Sequence, residues 1–212
     1  MAKKITKKTI STLEPAVATV LVLRTCNSDM TSNEGFRWPT SGPISAPDWS
    51  SVPVCGHGLH GLLWGEGKGD LLNFGEEAKW LVCRVPADQI VDLGGKVKFP
   101  SCEVIHCGDQ KSATEFIRAN GAAGRAVVGG VATAGDMGVA TAGYRGVATA
   151  GDGGVIAIWH WSDNRYKIRI AQVIKDEDGD GDLEPNTPYR LNNEGYFLKI
   201  PKSEVKTTRE SE

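Results

Sequence analysis

The stretch Gly130-Val-Ala-Thr-Ala-Gly-Asp-Met, Gly138-Val-Ala-Thr-Ala-Gly-Tyr-Arg, Gly146-Val-Ala-Thr-Ala-Gly-Asp-Gly aligns without gaps, and Gly154-Val-Ile-Ala-Ile begins a fourth copy. The period is eight. An even period keeps equivalent residues on one face of an extended chain, so Val139 and Thr141 point one way and Ala140 and Ala142 the other. The pairs Gly135-Asp136, Gly143-Tyr144 and Gly151-Asp152 supply turn chemistry. Two glycines per repeat and a period of eight break the 3.6-residue helical pattern. The reading is a narrow β-roll of short strands and turns over residues 121–154, with alanine filling a thin interior. Roughly three repeats is the minimum for such a stack. The array therefore leans on a neighbouring domain or on copies of itself, which predicts a homo-oligomer, with a trimer as one form.

Composition bounds the rest. The chain has 212 residues, 26 of them glycine, and eleven of those lie between Gly121 and Gly154. Hydrophobic residues make up 40 %, enough for a core, and a formal charge of −2 excludes bulk electrostatic nucleic-acid binding. No apolar run approaches the ~18 residues of a membrane span. The basic start Met1-Ala-Lys-Lys is followed by Ser11, Thr12, Glu14 and Pro15 and no small-residue cleavage site, which argues against secretion. Five cysteines without framework spacing (Cys26, Cys55, Cys83, Cys102, Cys107) suit a reducing compartment.

Working outward from the array, the fold class is α+β and mainly β. Residues 1–12 are expected to be a flexible start, 13–120 a small mixed domain with a cleft, 155–201 an antiparallel β module and 202–212 a flexible tail. In the first domain, Ala16 to Leu23 and Ala78 to Val85 read as strands, with shorter ones at Val91 to Leu93 and Glu103 to Cys107. Residues 27–56, rich in Ser, Pro, Gly and Trp, read as a functional or covering loop. Ser112 and Glu115 form a capping box that opens a helix over Ala113 to Ala119, with Gly121 as its stop. After the array, IAIWHWSD, RYKIRIAQVI and GYFLKI alternate as half-buried strands. Asp163-Asn164 and the run from Tyr189 to Gly195 supply the turns between them.

Four features carry candidate chemistry. Cys55-Gly-His57-Gly-Leu-His60 has ligand-type spacing, with Cys26, Cys102, His106 or Cys107 as a fourth zinc ligand. No Cys-x-x-Cys accompanies it, so a metal-free role for these side chains is preferred, and no metal site is assigned. Asp176 to Asp182 begins like an EF-hand loop, but Thr187 stands at the twelfth position, which favours a solvated hairpin tip. Of the six tryptophans, Trp80 belongs to a strand core. Trp38, Trp49 and Trp64 lie in loops near the histidines, where they either stack on a planar ligand or plug a small core. Finally, Thr133, Thr141 and Thr149, one per repeat, suggest a flat ladder of the kind used by ice-binding or adhesive solenoids. Three rungs are few, and oligomerisation or spacing is the favoured role of the array.

Two resemblances extend these readings. The Cys55-Gly-His-Gly58-Leu59-His60 motif together with the array of 130–154 resembles bacteriophage and prophage proteins of unknown function, which pair a Cys-x-x-Gly-Phe-His-type domain with Ala/Thr/Gly repeats. That family supplies no activity of its own; the array and the lack of a complete catalytic set favour a phage-encoded, non-catalytic interaction or assembly protein, located in the cytoplasm of a bacterial host or on a virion. Its partners would be a host protein, a virion component or a nucleotide-like ligand. More distantly, Val22-Leu23-Arg24-Thr25, Gly58-Leu59-His60 and Ser101-Cys102-Glu103-Val104 resemble the ADP-ribosyltransferase fold. This implies an enzyme acting on NAD: Arg24 would hold the pyrophosphate, His60 would lie near the nicotinamide, and Glu103 would stabilise oxocarbenium-like charge. Trp38, Trp64 and His57 would complete the ligand site. No Gly follows Arg24 and no Glu-x-Glu pair stands at Glu103, which departs from that family's pattern.

Overall fold

A computed structural model describes residues 17–163, 165–175 and 183–205. The acidic run Asp176 to Asp182 lies outside the described residues, as do residues 1–16 and 206–212.

The first half of the chain is an antiparallel sheet. Its strands are β1 (Thr19–Cys26), β2 (Gly42–Ser45), β3 (Leu59–Leu63), β4 (Lys79–Pro86), β5 (Val91–Asp92), β6 (Val97–Phe99) and β7 (Ser101–Gly108). Their order is β2-β7-β4-β1-β3-β6-β5. β1 and β4 pair along their whole length, from Thr19 opposite Pro86 to Cys26 opposite Lys79. Both strands are buried on both faces and so read as near-continuous apolar runs. β1 begins three residues later than the apolar run of the sequence suggests and extends through Arg24 and Thr25. On one side of the sheet Leu23, Leu62, Trp80 and Val82 pack against Ala113 and Ile117 of the helix. On the other side Val22, Trp38, Leu81, Cys83, Phe99 and Val104 form a second cluster.

The helix, α1 (Gln110–Ile117), is capped by Asp109, whose carboxylate accepts from Ser112 N–H at 2.7 Å. The cap is therefore three residues earlier than the Ser112–Glu115 box implies. Asp109 is itself a strong N-cap residue, and it places Ser112 at the third helical position, where the donor is needed. α1 runs into a π-type turn over Arg118–Ala122, and Gly121 leaves helical geometry at φ 122°.

The repeats form four strands: β8 (Val131–Thr133), β9 (Val139–Ala142), β10 (Val147–Thr149) and the start of β11 (Val155–Ser162). Successive repeats do not pair with each other. β8 pairs in parallel with β10, Val131 opposite Val147 and Thr133 opposite Thr149. β9 pairs in parallel with β11, Val139 opposite Val155 and Thr141 opposite Ala157. The structural unit is thus sixteen residues, with one strand of each unit in each of two sheets. Ala132, Ala140, Ala142, Ala148 and Ala150 lie buried between them. Thr141 consequently faces away from Thr133 and Thr149, and no three-rung threonine ladder exists.

The turns lock one coil to the next. Asp136 accepts from Asp152 N–H at 2.9 Å, and Asp152 in turn accepts from Lys175 N–H at 2.7 Å. On the opposite edge Tyr144 replaces the aspartate and points at the first half of the chain. Its ring meets Phe74 at 6.1 Å and Tyr166 at 6.0 Å; Phe74 meets Trp80 at 5.3 Å, and Tyr166 meets Trp161 at 4.8 Å. Tyr166 also hydrogen-bonds Asp70. Val127 and Val128, at the entrance to the array, belong to the α1-side core.

The last strands extend both sheets. β12 (Arg165–Gln172) pairs antiparallel with all of β11, and β13 (Tyr189–Leu191) pairs with β10 and with β14 (Phe197–Lys199). Tyr189 begins a strand, so the hairpin turn is confined to Asn192 to Gly195, where Gly195 N–H donates to Asn192 O. Ala171, Val173, Leu183 and Tyr189 share one core with the array alanines. Among the described residues no helix is long and apolar enough to cross a membrane.

Candidate functional site

A cleft of about 760 Å³ opens at the end of β1 and the beginning of β3, beside the segments that join β1 to β2 and β2 to β3. That size is within the usual range for small-molecule sites. Arg24, Trp38, His57 and His60 all line it. Glu103 and Trp64 do not. Glu103 lies on β7, where its carboxylate pairs with Arg84 at 2.8 Å on the exposed surface. Trp64 packs on the α1-side core beneath Arg125, whose guanidinium is 5.4 Å from its ring. The separation has a simple cause: β4 and β1 lie between β7 and β3 in the sheet.

Arg24 is the central group of the cleft. Its guanidinium lies over the Trp38 ring, 3.6 Å from the centroid, a favourable cation–π stack. Trp38 is held in turn by a bond from its indole N–H to Ser32 Oγ at 3.1 Å. Arg24 donates to the carbonyls of His60 (3.3 Å) and Thr25 (3.2 Å), while its buried Nε has no partner. Burial pushes the guanidinium down to about 10, partly opposed by the nearby thiols of Cys83, Cys26 and Cys102. It remains charged at neutral pH.

His60 sits beside it with a buried Nε2 that also lacks a partner. Burial lowers its pKa, and the charges of Lys96 and Arg24 lower it further, so the neutral ring is favoured. Directly across the β3–β6 ladder from His60 is Lys98. Lys98 is 0 % exposed; its Nζ reaches only Gly56 O, at 3.4 Å, and stands 5.6 Å from the Trp49 ring. His57 is more exposed and pairs with Asp48 at 3.3 Å. The same aspartate accepts from Gly58 N–H.

Cys55 stands at the rim, exposed, with Lys96 Nζ 2.8 Å from its sulfur. That hydrogen bond lowers its thiol pKa, so the thiolate is favoured. Alkylation of Cys55 by iodoacetamide is expected to show its pH midpoint below that of an ordinary thiol, and Lys96→Met should move the midpoint back up. Peptide mass spectrometry across a pH series reads this directly, and an unchanged midpoint in the variant would refute the pairing. Cys55 and His57 thus spend their polar atoms on Lys96 and Asp48. Among the described residues no three His, Cys, Asp or Glu side chains are grouped for a metal. Cys102 and Cys107 lie on β7, and His106 stacks on Phe116.

Sequence reasoning overlooked Lys96 and Lys98. The signal was present: Lys96-Val-Lys98-Phe99 places two cations on one face of a strand whose other face is apolar.

Comparison with known proteins alters the reading of the whole chain. A family profile described as a domain of unknown function (DUF7666) matches residues 20–119. An ice nucleation protein of Pseudomonas syringae is 45 % identical over 101 residues, 47 % of this chain and 9 % of that protein. An ice nucleation protein of Xanthomonas campestris pv. translucens is 38 % identical over 106 residues, 49 % of this chain and 7 % of that protein. Ice nucleation protein InaU of Pantoea ananas is 40 % identical over 100 residues, 46 % of this chain and 10 % of that protein. The chain spans a tenth or less of the length of these curated relatives. No solved structure matches it. These findings overturn the resemblances to phage proteins and to ADP-ribosyltransferases, together with the functions built on them, phage assembly and ADP-ribosyl transfer from NAD. They also overturn the placement in a host cytoplasm or on a virion, since the relatives are ice nucleation proteins of bacteria.

Proposed function

We propose that residues 130–161 form a flattened β-roll of two sixteen-residue coils whose outward Val-x-Thr positions order water, and that copies of the chain assemble to give this surface useful area. The observation that carries the reading is the parallel register that stacks Val131 on Val147 and Thr133 on Thr149. Strand spacing of about 4.8 Å and a two-residue repeat of about 6.8 Å make these four side chains a small regular lattice. Its methyl groups and hydroxyls hold water at fixed positions without drawing it into strong solvation. Similarity to ice nucleation proteins supports this chemistry.

A two-by-two lattice spans only a few water molecules, and the barrier to freezing falls as the ordered area grows. Assembly is therefore part of the proposal. The outer face of the β9–β11–β12 sheet is suited to it. Val139 (65 % exposed), Ile170 (64 %), Ile168, Trp159 and Trp161 make one apolar strip on that face. Contiguous exposed apolar surface of this kind marks association sites. The reading predicts a homo-oligomer.

Freezing of supercooled droplets, run beside analytical ultracentrifugation, tests both parts. The protein is expected to form oligomers and to freeze droplets at higher temperature than buffer does. The double variant Thr133→Lys, Thr149→Lys should lose the freezing effect while keeping the oligomer, and Ile170→Lys should lose both. Droplets that freeze with buffer while the protein is oligomeric would sink the water-ordering role. A monomer at every concentration would sink the assembly.

A further inference from the structure

We infer that the cleft beside Arg24 is a binding site for a planar organic carboxylate, recognised by Arg24 and His60. This stands apart from the water-ordering surface, which lies on other strands.

Three observations converge. The first is charge without counter-charge. Among the described residues Arg24 has no carboxylate partner and donates to the carbonyls of His60 and Thr25, while the lining's other cation, Lys96, is bonded to Cys55 Sγ at the rim. A guanidinium taken out of water by burial, with bonds to carbonyls alone, is costly unless an anion completes its shell. Of the two carboxylates in the lining, Asp48 is spent on His57 and Gly58 N–H, and Glu34 is exposed. The second is unspent hydrogen-bonding capacity. Arg24 Nε and His60 Nε2 are both buried, both unpartnered and both in the wall of the same cleft. Buried polar atoms of native proteins are nearly always satisfied, so a pair of orphans in one cavity points to a missing group. The third is shape. Trp38 covers one face of the Arg24 guanidinium, and the terminal nitrogens donate to the His60 and Thr25 carbonyls, which leaves the edge that carries Nε–H for recognition. An edge-on guanidinium matches a carboxylate through parallel N–H···O bonds. Trp38 and Phe36 give the cleft aromatic walls for a flat ligand.

The same arrangement has a second consequence. His60 is held neutral in part by the positive charges around it, those of Lys96, Arg24 and Lys98. A bound carboxylate offsets part of that positive charge, which shifts His60 toward protonation as the ligand enters.

Isothermal titration of the full chain with benzoate, and with benzamide as its uncharged isostere, tests the site. Benzoate is expected to bind at least tenfold more tightly than benzamide, the scale of a charge-assisted hydrogen bond. Its heat should vary with the ionisation enthalpy of the buffer in the sense of proton uptake. Arg24→Gln and, as an independent probe of the second donor, His60→Phe should each weaken benzoate about tenfold and leave benzamide unchanged. Circular dichroism and melting identify which variants retain the fold. The site is overturned if benzoate fails to bind in the millimolar range, if benzamide binds equally well, or if a folded variant binds benzoate as the original does.

Discussion

Trp80→Ala is expected to lower the free energy of unfolding by about 3–5 kcal/mol, the usual cost of truncating a fully buried aromatic. Trp80 is 1 % exposed in the middle of β4. Its ring meets Phe74 edge-on at 5.3 Å and approaches Gly129 at the entrance of the array, where a Cβ on that glycine would lie 3.3 Å from its Cη2. The cavity would open at the junction of sheet, helix and first coil, where α1 and the Val127–Val128 segment cannot all collapse inward together. Urea unfolding followed by far-ultraviolet circular dichroism measures the loss. A change below about 1 kcal/mol would contradict the assignment of Trp80 as the central residue of this core.

Gly151→Val is expected to destabilise the coils by about 2–3 kcal/mol, at the upper end of overpacking penalties. The backbone of Gly151 passes so close to the preceding coil that a Cβ would meet Asp136 Oδ1, with Asp136 N at 2.5 Å and the Gly135 carbonyl carbon at 2.8 Å. The obstacle is mainly backbone, so it cannot swing away. The shift required would also break the Asp136–Asp152 bond that ties one coil to the next. Hydrogen exchange localises the effect. Protection should fall first in β10 and β11 and be retained in β1 and β4, whereas uniform loss would mean that the coils do not unfold separately from the sheet.

Much of this molecule was legible in its residues. Alanine burial and valine–threonine exposure follow from an even repeat, because a strand alternates faces. The doubling of the unit to sixteen was also written in the turns: Asp136, Tyr144 and Asp152 alternate at equivalent positions, as they must if alternate turns lie on opposite edges. The convergence of Arg24, Trp38, His57 and His60 on one cleft was expected. Glu103 was misplaced because proximity in a sheet depends on strand order, which no local pattern of β7 encodes.

The repeat, by its period and its small residues, determined by itself that the chain would be mainly β and that alanine would line a thin interior. Tertiary structure alone decided which strands pair. Parallel partners here are sixteen residues apart, and the hydrogen bonds that join them reward geometry across the coil, not along the sequence. It also decided that Lys98 would be buried opposite His60. Strand alternation places a lysine on a face, but only the packing of the loop bearing Trp49 and Gly56 over that face removes its charge from water.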